Sequence, residues 1–245
     1  MNRRALLRNG LVLAAAGLLL PFARPAAQAA EPDAHGFVSL FDGKTLDGWE
    51  GLEGFWSVQD GAIVGKETKE HAAPQTFLIL KDHPVTNFEL SYKYKFATPT
   101  GNSGVQFRSK IINPKTFQVG GYQADIDGDR HYDGSIYDEQ GIAGGRSTMS
   151  NRGEKTTWDA SNKRHNEKMA MDNKALGAKI KANDWNEVLL VADGNHITYS
   201  INGEVMTDLI DESPKALKSG VLALQLHKGF EMEIQFKDIK IKEIK

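Results

Sequence analysis

Phe88-Glu-Leu-Ser-Tyr-Lys-Tyr-Lys-Phe96 places an apolar residue at every even position and a polar one at every odd position. That period belongs to a strand with one buried face and one wet face, and a helix cannot satisfy it. Asn102-Ser-Gly-Val-Gln-Phe-Arg-Ser109 alternates again after a Thr-Pro-Thr-Gly turn. Further short apolar runs at 55–58, 62–64, 76–80, 186–192, 196–201, 220–227 and 230–244 are punctuated by Gln59-Asp-Gly61, Asp193-Gly-Asn195 and Asn202-Gly203. Asp-Gly and Asn-Gly supply the positive φ that tight hairpins demand. Short strands at this spacing, with no convincing long helix, predict an all-β, antiparallel β-sandwich.

Two segments break the rhythm. From Gly141 to Arg152 the chain is rich in Gly and Ser, and from Lys155 to Lys181 it is dense in Lys and Asn with few aliphatics. We read 141–184 as a long inserted loop with one short helix near residues 168–175. The first 30 residues are different in kind: Met1 to Arg8 is basic, Leu11 to Leu20 apolar, and Ala27-Gln-Ala29 a small-x-small cleavage site. This predicts a cleaved secretory signal peptide over 1–29 and a single β-sandwich domain over 30–245. Paired Arg3-Arg4 resembles a twin-arginine signal, so the expected destination is the periplasm or the exterior. The apolar run is too short and wrongly flanked to span a membrane.

Composition excludes several classes. The whole chain carries a formal charge of −2, and the leader holds Arg3, Arg4, Arg8 and Arg24 without an acid, so the remainder is more acidic still. A nucleic-acid partner needs a net basic face and is not expected. There is no cysteine, hence no disulfide, thiolate nucleophile or cysteine metal site. No Gly-rich phosphate loop follows a strand.

Chemistry concentrates between Asp125 and Glu139, which hold six carboxylates, one histidine and two tyrosines. Strand parity adds partners, because residues i, i+2 and i+4 share a face. Gln106 and Arg108 are expected opposite Val105 and Phe107. Gln123, Asp125 and Asp127 are expected opposite Tyr122, Ala124 and Ile126, and Gln225 and His227 opposite Leu224 and Leu226. A merely solvated face is dominated by Lys, Glu and Thr, whereas Gln, Arg, Asp and His on adjoining strands suit a polyhydroxylated ligand. Arg108 paired with Asp125 for structure alone is the plainer alternative. Asp125, Asp127 and Asp129 resemble a calcium loop, but Arg130 stands where an EF-hand needs Gly and Ile136 where it needs Glu. A divalent cation in another geometry stays open. Trp49, Trp56 and Trp185 are expected in the core, and Trp158, in the polar insertion, is expected to stack on ligand.

Phe37-Val-Ser-Leu-Phe-Asp-Gly-Lys-Thr-Leu-Asp-Gly-Trp49, Asn102–Arg108, Gly121-Tyr-Gln-Ala-Asp-Ile-Asp127, Gly134-Ser-Ile-Tyr-Asp-Glu139 and Leu224-Gln-Leu-His227 together resemble the bacterial 3-keto-disaccharide hydrolase family. The resemblance implies a concanavalin A-like, lectin/glucanase-type jelly roll with a carbohydrate-binding concave face. It implies action on glycosides whose sugar a separate 3-oxidoreductase has oxidised at carbon 3. After Glu139 the chain departs from the family pattern into its insertion.

A ketone at carbon 3 acidifies the proton on carbon 2 and lies β to the glycosidic oxygen on carbon 1. Proton removal, expulsion of the aglycone and addition of water then amount to hydrolysis. Asp125 or His227 is the expected base, Arg108 and Gln225 the donors to the ketone oxygen, and Tyr137 or Glu139 the acid. Gln106, Gln123, Gln225, Asp127 and Trp158 are the expected substrate contacts. A non-catalytic carbohydrate-binding module and a conventional two-carboxylate glycosidase are the rival readings.

Overall fold

The structure, a computed structural model, describes residues 31–245, so the expected signal peptide over 1–29 lies outside the described residues. The strands open with β1 (Val38–Ser39), β2 (Trp49–Glu50), β3 (Trp56–Gln59), β4 (Ala62–Glu67), β5 (Thr76–Leu80) and β6 (Phe88–Phe96). The long hairpin β7 (Asn102–Asn113) and β8 (Gln118–Asp127) follows, then β9 (Ile136–Glu139), β10 (Thr148–Ser150), β11 (Glu154–Trp158) and β12 (Arg164–Lys168). A five-residue helix, α1 (Asn173–Gly177), precedes β13 (Asn186–Asp193), β14 (His196–Ile201), β15 (Glu204–Asp211), β16 (Val221–Leu226) and β17 (Met232–Glu243). Among the described residues no helix is long and apolar enough to cross a membrane.

Two sheets form a sandwich. One runs β12-β11-β15-β14-β13-β6-β17-β4-β3 with β1 beside β17, and the other β10-β9-β8-β7-β16-β5-β2. The alternation in β6 does what its period predicts: Phe88, Leu90, Tyr92, Tyr94 and Phe96 are all buried. They meet Val105, Phe107, Tyr122, Ala124, Ile126, Leu222, Leu224 and Leu226 of the second sheet in one core. Each Val, Leu, Ile or Phe among them contributes about 1.5–3 kcal/mol by leaving water.

The insertion is not a loop. Residues 141–184 contain β10, β11 and β12 as well as α1, which is capped by Asp172 accepting the Ala175 amide at 2.8 Å. β11 lies parallel to β15, unlike the antiparallel pairs around it, and β12 closes the sheet's edge. The apolar period is missing because β12 is an edge strand exposed along most of its length. Trp158 is accordingly no ligand platform. It is buried, its indole N–H donates to the Met149 carbonyl at 3.0 Å, and its ring lies 4.7 Å from the Arg146 guanidinium carbon. Trp49 is buried and Trp56 packs on the core, whereas Trp185 is half-buried beneath Lys95 and Lys237.

Arg146 ties the insertion to the sandwich. Its two terminal nitrogens meet the two oxygens of Asp211 at 3.1 and 2.9 Å, and Tyr122 donates its hydroxyl to the same carboxylate. Both charged groups are almost wholly buried. Arg146→Ala strands the Asp211 carboxylate, so urea unfolding should show a loss of about 3–5 kcal/mol.

Residues 128–134, between β8 and β9, are held from beneath by buried carboxyls. Asp127 Oδ1 accepts the Tyr132 and Asp133 amides at 3.1 and 3.3 Å, while Asp133 Oδ1 accepts the Asp127 amide at 2.9 Å and the Tyr94 hydroxyl at 3.2 Å. Asp133 is fully buried and its Oδ2 has no partner. Burial, and then the nearby Asp127 charge, push its carboxyl well above the usual range. Because the folded state then holds a proton that the unfolded chain has released, this group lowers stability as pH rises from the ordinary carboxylate pKa toward its own raised one. Asp133→Asn mimics the neutral acid. Its melting temperature should exceed that of the parent at pH 8, and the gap should close toward pH 4; a parent that is the more stable at pH 8 would show Asp133 to be ionised.

Candidate active site

The outer face of the second sheet is curled. β9 and β5 lie four strand spacings apart, ~19 Å in a flat sheet, a gap two side chains cannot bridge. Yet Gln75, just before β5, brings its amide within 3.5 Å of Glu139 at the end of β9. Part of this face is sealed dry, because the β7–β8 turn folds back over β5, where Thr76 and Phe77 bond the carbonyls of Thr116 and Phe117. Phe77, Ile79, Val119 and Ala223 pack there as a small second core. What remains open is a cleft of about 570 Å³ whose walls include Asn102, Gln123, Asp125, Tyr137, Glu139 and His227, with Tyr132 at its rim.

A chain of buried amides floors the cleft. The Ser109 hydroxyl donates to Gln106 Oε1 at 2.6 Å, and Gln106 Nε2 donates to Gln123 Oε1 at 2.6 Å. Gln123 Nε2 donates both to Asp125 Oδ1, at 2.7 Å, and to Gln225 Oε1, at 3.3 Å. Gln225 Nε2 then donates to Glu139 Oε2 at 3.4 Å. Gln123 can lie across β7 because Gly104, in register with Asp125, has no side chain: a Cβ there would stand 2.5 Å from Gln123 Cγ.

Burial pushes the Asp125 carboxyl well above the usual range against the opposing pull of the Gln123 bond, and the charges of Glu139 and Asp127 push it further. Asp125 is therefore an acid that holds its proton to higher pH than an ordinary carboxyl, set near a second carboxyl that accepts amide N–H groups at both oxygens. His227 stands across the cleft, half-buried, its ring edge-on to Phe230 at 5.5 Å. Its Nδ1 lies 2.9 Å from the Lys228 carbonyl. A carbonyl only accepts, so in the neutral ring the proton sits on Nδ1 and the Nε2 lone pair is free.

The structure thus brings Asp125, Glu139, Tyr137, His227 and Gln123 together as read from the sequence. It corrects four other expectations. Arg108 is not on this face. β7 carries one extra residue between Phe107 and Lys110, and Arg108 sits in that bulge at φ +49°, which voids the parity count. Its five N–H groups go to the carbonyls of Thr86, Gly194, Leu217 and Ala192 and to Asn87 Oδ1, so it braces the far end of the sandwich and pairs with no carboxylate. Gly220 is pressed against the bulge, at φ +155°, where a Cβ would meet the Ser109 carbonyl oxygen at 2.2 Å.

Gln106 and Gln225 are fully buried beneath the cleft and support its walls rather than line it. Asp127 spends Oδ1 on its own loop and does not line the cleft. Nor do Asp125, Asp127 and Asp129 converge: among the described residues no group of three or more His, Asp or Glu is placed to hold a metal ion. Asn102 and Tyr132 were missed. Both line the cleft, Asn102 because the register sets it beside Asp127, and Tyr132 because its loop is folded over the rim. Tyr132 is one of the two tyrosines of the acid-rich stretch and Asn102 opens the family-like segment Asn102–Arg108, but nothing in the spacing marks either as a cleft residue.

Residues 36–242 match the family described as 3-keto-alpha-glucoside-1,2-lyase-like domain. A 3-keto-disaccharide hydrolase from Bacteroides thetaiotaomicron is 30% identical over 93 residues, 34% of this chain and 31% of that protein, so the likeness spans about a third of the relative's length. A proposed glycosyl hydrolase from Parabacteroides distasonis superposes with a TM-score of 0.53 at 19% identity, covering 86% of this chain and 95% of its own. The carbohydrate-binding module CBM66 from Bacillus subtilis superposes at 0.52 with 14% identity, over 80% of this chain and 96% of its own. At such identities the superpositions speak for the fold, an all-β sandwich of the kind expected. The sequence match, running from before β1 into β17, carries the assignment: the chain belongs to the 3-keto-alpha-glucoside-1,2-lyase-like domain family.

Proposed function

We propose that this protein cleaves the glycosidic bond of 3-keto-glycosides, 3-keto-disaccharides among them, by elimination followed by hydration. The observation that carries this reading is the pairing, in one cleft, of a carboxyl that holds its proton with an imidazole whose Nε2 lone pair is free. Family membership supports glycoside cleavage, and the family's lyase description and the relative's hydrolase name fit the two halves of such a reaction. Export through residues 1–29, and a separate oxidoreductase that installs the ketone, belong to the same proposal.

His227 Nε2 takes the proton from carbon 2. The electron pair moves onto the carbon 3 oxygen, where the Tyr137 hydroxyl at the cleft wall donates to the forming enolate. As the carbon 3 carbonyl re-forms, the bond between carbon 1 and the leaving oxygen breaks, and Asp125 delivers its proton to that oxygen. Water then enters: Asp125, now a carboxylate, takes one of its protons while the oxygen adds to carbon 1, and the imidazolium returns a proton to carbon 2. Glu139 accepts sugar hydroxyls, and its charge helps keep Asp125 protonated before the reaction.

A 3-keto-glucoside in heavy water separates these roles. The wild-type product should carry deuterium at carbon 2. His227→Ala should lose both deuterium incorporation and aglycone release, whereas Asp125→Asn should keep carbon 2 exchange and lose release of a poor leaving group by roughly 10²–10⁴-fold. Near-normal turnover in both variants would sink the assignment. In wild type, kcat/KM should fall as pH rises through the raised Asp125 pKa, and that alkaline limb should vanish in Asp125→Asn. The likeness to a carbohydrate-binding module favours one rival, which predicts binding without release of aglycone. Equal cleavage of the unoxidised glycoside, with no deuterium gained, would instead mark a conventional two-carboxylate glycosidase.

A further inference from the structure

The cleft runs along β8, with Tyr137 in register with Gln123 at one end and Asn102 in register with Asp127 at the other. Those two levels are ~13 Å apart at the ordinary strand rise, with Asp125 midway between them. The two ends differ in kind. Around Tyr137 the walls are buried and polar, with Glu139 and Gln123 almost wholly enclosed. At the opposite end stands Tyr132, 52% exposed, its ring edge against His131 at a centroid distance of 4.6 Å.

An exposed tyrosine on a turn needs no explanation by itself. The loop that carries this one does, because it is held far more firmly than a short connection requires. Asp127 binds the Tyr132 and Asp133 amides from beneath, and the Asp133 carboxyl in turn ties the loop back to the Asp127 amide and the Tyr94 hydroxyl. Arg152 donates to the carbonyls of Arg130 and Asp133 at 3.1 and 2.7 Å, and the Ser135 amide closes onto the Tyr132 carbonyl at 3.0 Å. Arg130 is kept at φ +59°, a strained conformation for a residue with a side chain. Two buried carboxyls and a buried guanidinium are a costly way to shape seven residues. Of the four side chains the loop exposes, Asp129, Arg130, His131 and Tyr132, the tyrosine is the one that lines the cleft.

We propose that the Asn102–Tyr132 end of the cleft is a second subsite, which takes the leaving group of the glycoside: a sugar or other ring with a flat apolar face stacked on Tyr132, with the Asn102 amide serving its hydroxyls. This rests on the reading of the cleft given above. It places the oxidised ring toward Glu139 and Tyr137, the scissile bond between Asp125 and His227, and the departing ring at the solvent-facing rim, from which it leaves first. The tyrosine is then a specificity determinant that holds substrate and takes no part in the chemistry.

The test compares phenyl and methyl glucosides of both anomers, as 3-keto substrates in turnover and as unoxidised ligands in calorimetric titration. Tyr132→Ala should raise KM for the phenyl substrate roughly three- to tenfold with kcat unchanged, leave the methyl substrate within about twofold, and weaken binding of the unoxidised phenyl ligand in parallel. Tyr132→Phe should restore both the phenyl KM and the phenyl-ligand binding. Equal losses on phenyl and methyl ligands, or no loss on phenyl, would overturn the subsite. If wild type turns over neither 3-keto substrate, the catalytic reading fails, and the titrations still decide the subsite: wild-type preference for phenyl lost in Tyr132→Ala upholds it, and its absence overturns it.

Discussion

Three glutamines that are almost wholly buried give the cleft its character. A buried amide is tolerable only if its N–H and C=O groups are satisfied, and the chain from Ser109 through Gln106, Gln123 and Gln225 does this in one direction. The direction is set at the carboxyl end, where Asp125 and Glu139 receive amide N–H groups. At the other end the Ser109 hydroxyl has one proton, for which Gln106 Oε1 and the carbonyls of Phe107 and Tyr122 are alternative acceptors. Every amide therefore points its N–H toward the carboxyls, and the orientation of Gln123 and Gln225 follows from the network. The curl of the sheet, the room left by Gly104 and the closeness of Asp125 to Glu139 are conditions for this one chain of bonds.

The six carboxylates between Asp125 and Glu139 divide into structural and chemical groups. Asp127 and Asp133 knit the loop that carries Tyr132. Asp138 does the same for the next turn, accepting the Ala143 amide and, at 3.0 Å, that of Arg146. Asp129 lies in solvent. Asp125 and Glu139 line the cleft from strands, where the ladder fixes them, and Asp138 lines it too but with its carboxyl spent on the turn. The loops on either side are fixed by acids turned inward. Chemistry on strands and recognition on braced loops is a sensible division, because a ring platform tolerates small displacements that proton transfer does not.

The same sandwich serves proteins that only bind sugars and proteins that cleave them, so architecture alone does not choose between them. What favours cleavage is an expense that binding does not need. A lectin-like face can meet hydroxyls with exposed amides and acids, whereas here a carboxyl is enclosed and paired, across the cleft, with a histidine of defined tautomer. Enclosure raises the pKa of Asp125 by the same desolvation that destabilises Asp133 in the core, but at Asp125 the effect has a use.

Much of this was legible in the chain itself. The period of Phe88–Phe96, the Asp-Gly and Asn-Gly turns and the absence of a long helix determine two-sided strands in a sandwich, because side-chain alternation is a local property that tertiary context rarely reverses. Parity also brought Gln123, Asp125, Gln225 and His227 to one face, since their strands run regularly. Tertiary structure decided the rest. One extra residue in β7 took Arg108 to the far end of the molecule, for a count of two fails wherever a bulge intervenes. The edge strands of 141–184 show no apolar period because half of what they touch is water, and Trp158 was drawn inward by Arg146 and Met149. Which carboxylates brace and which act was settled by burial and by amides from distant strands, and neither is written in the spacing of the acids.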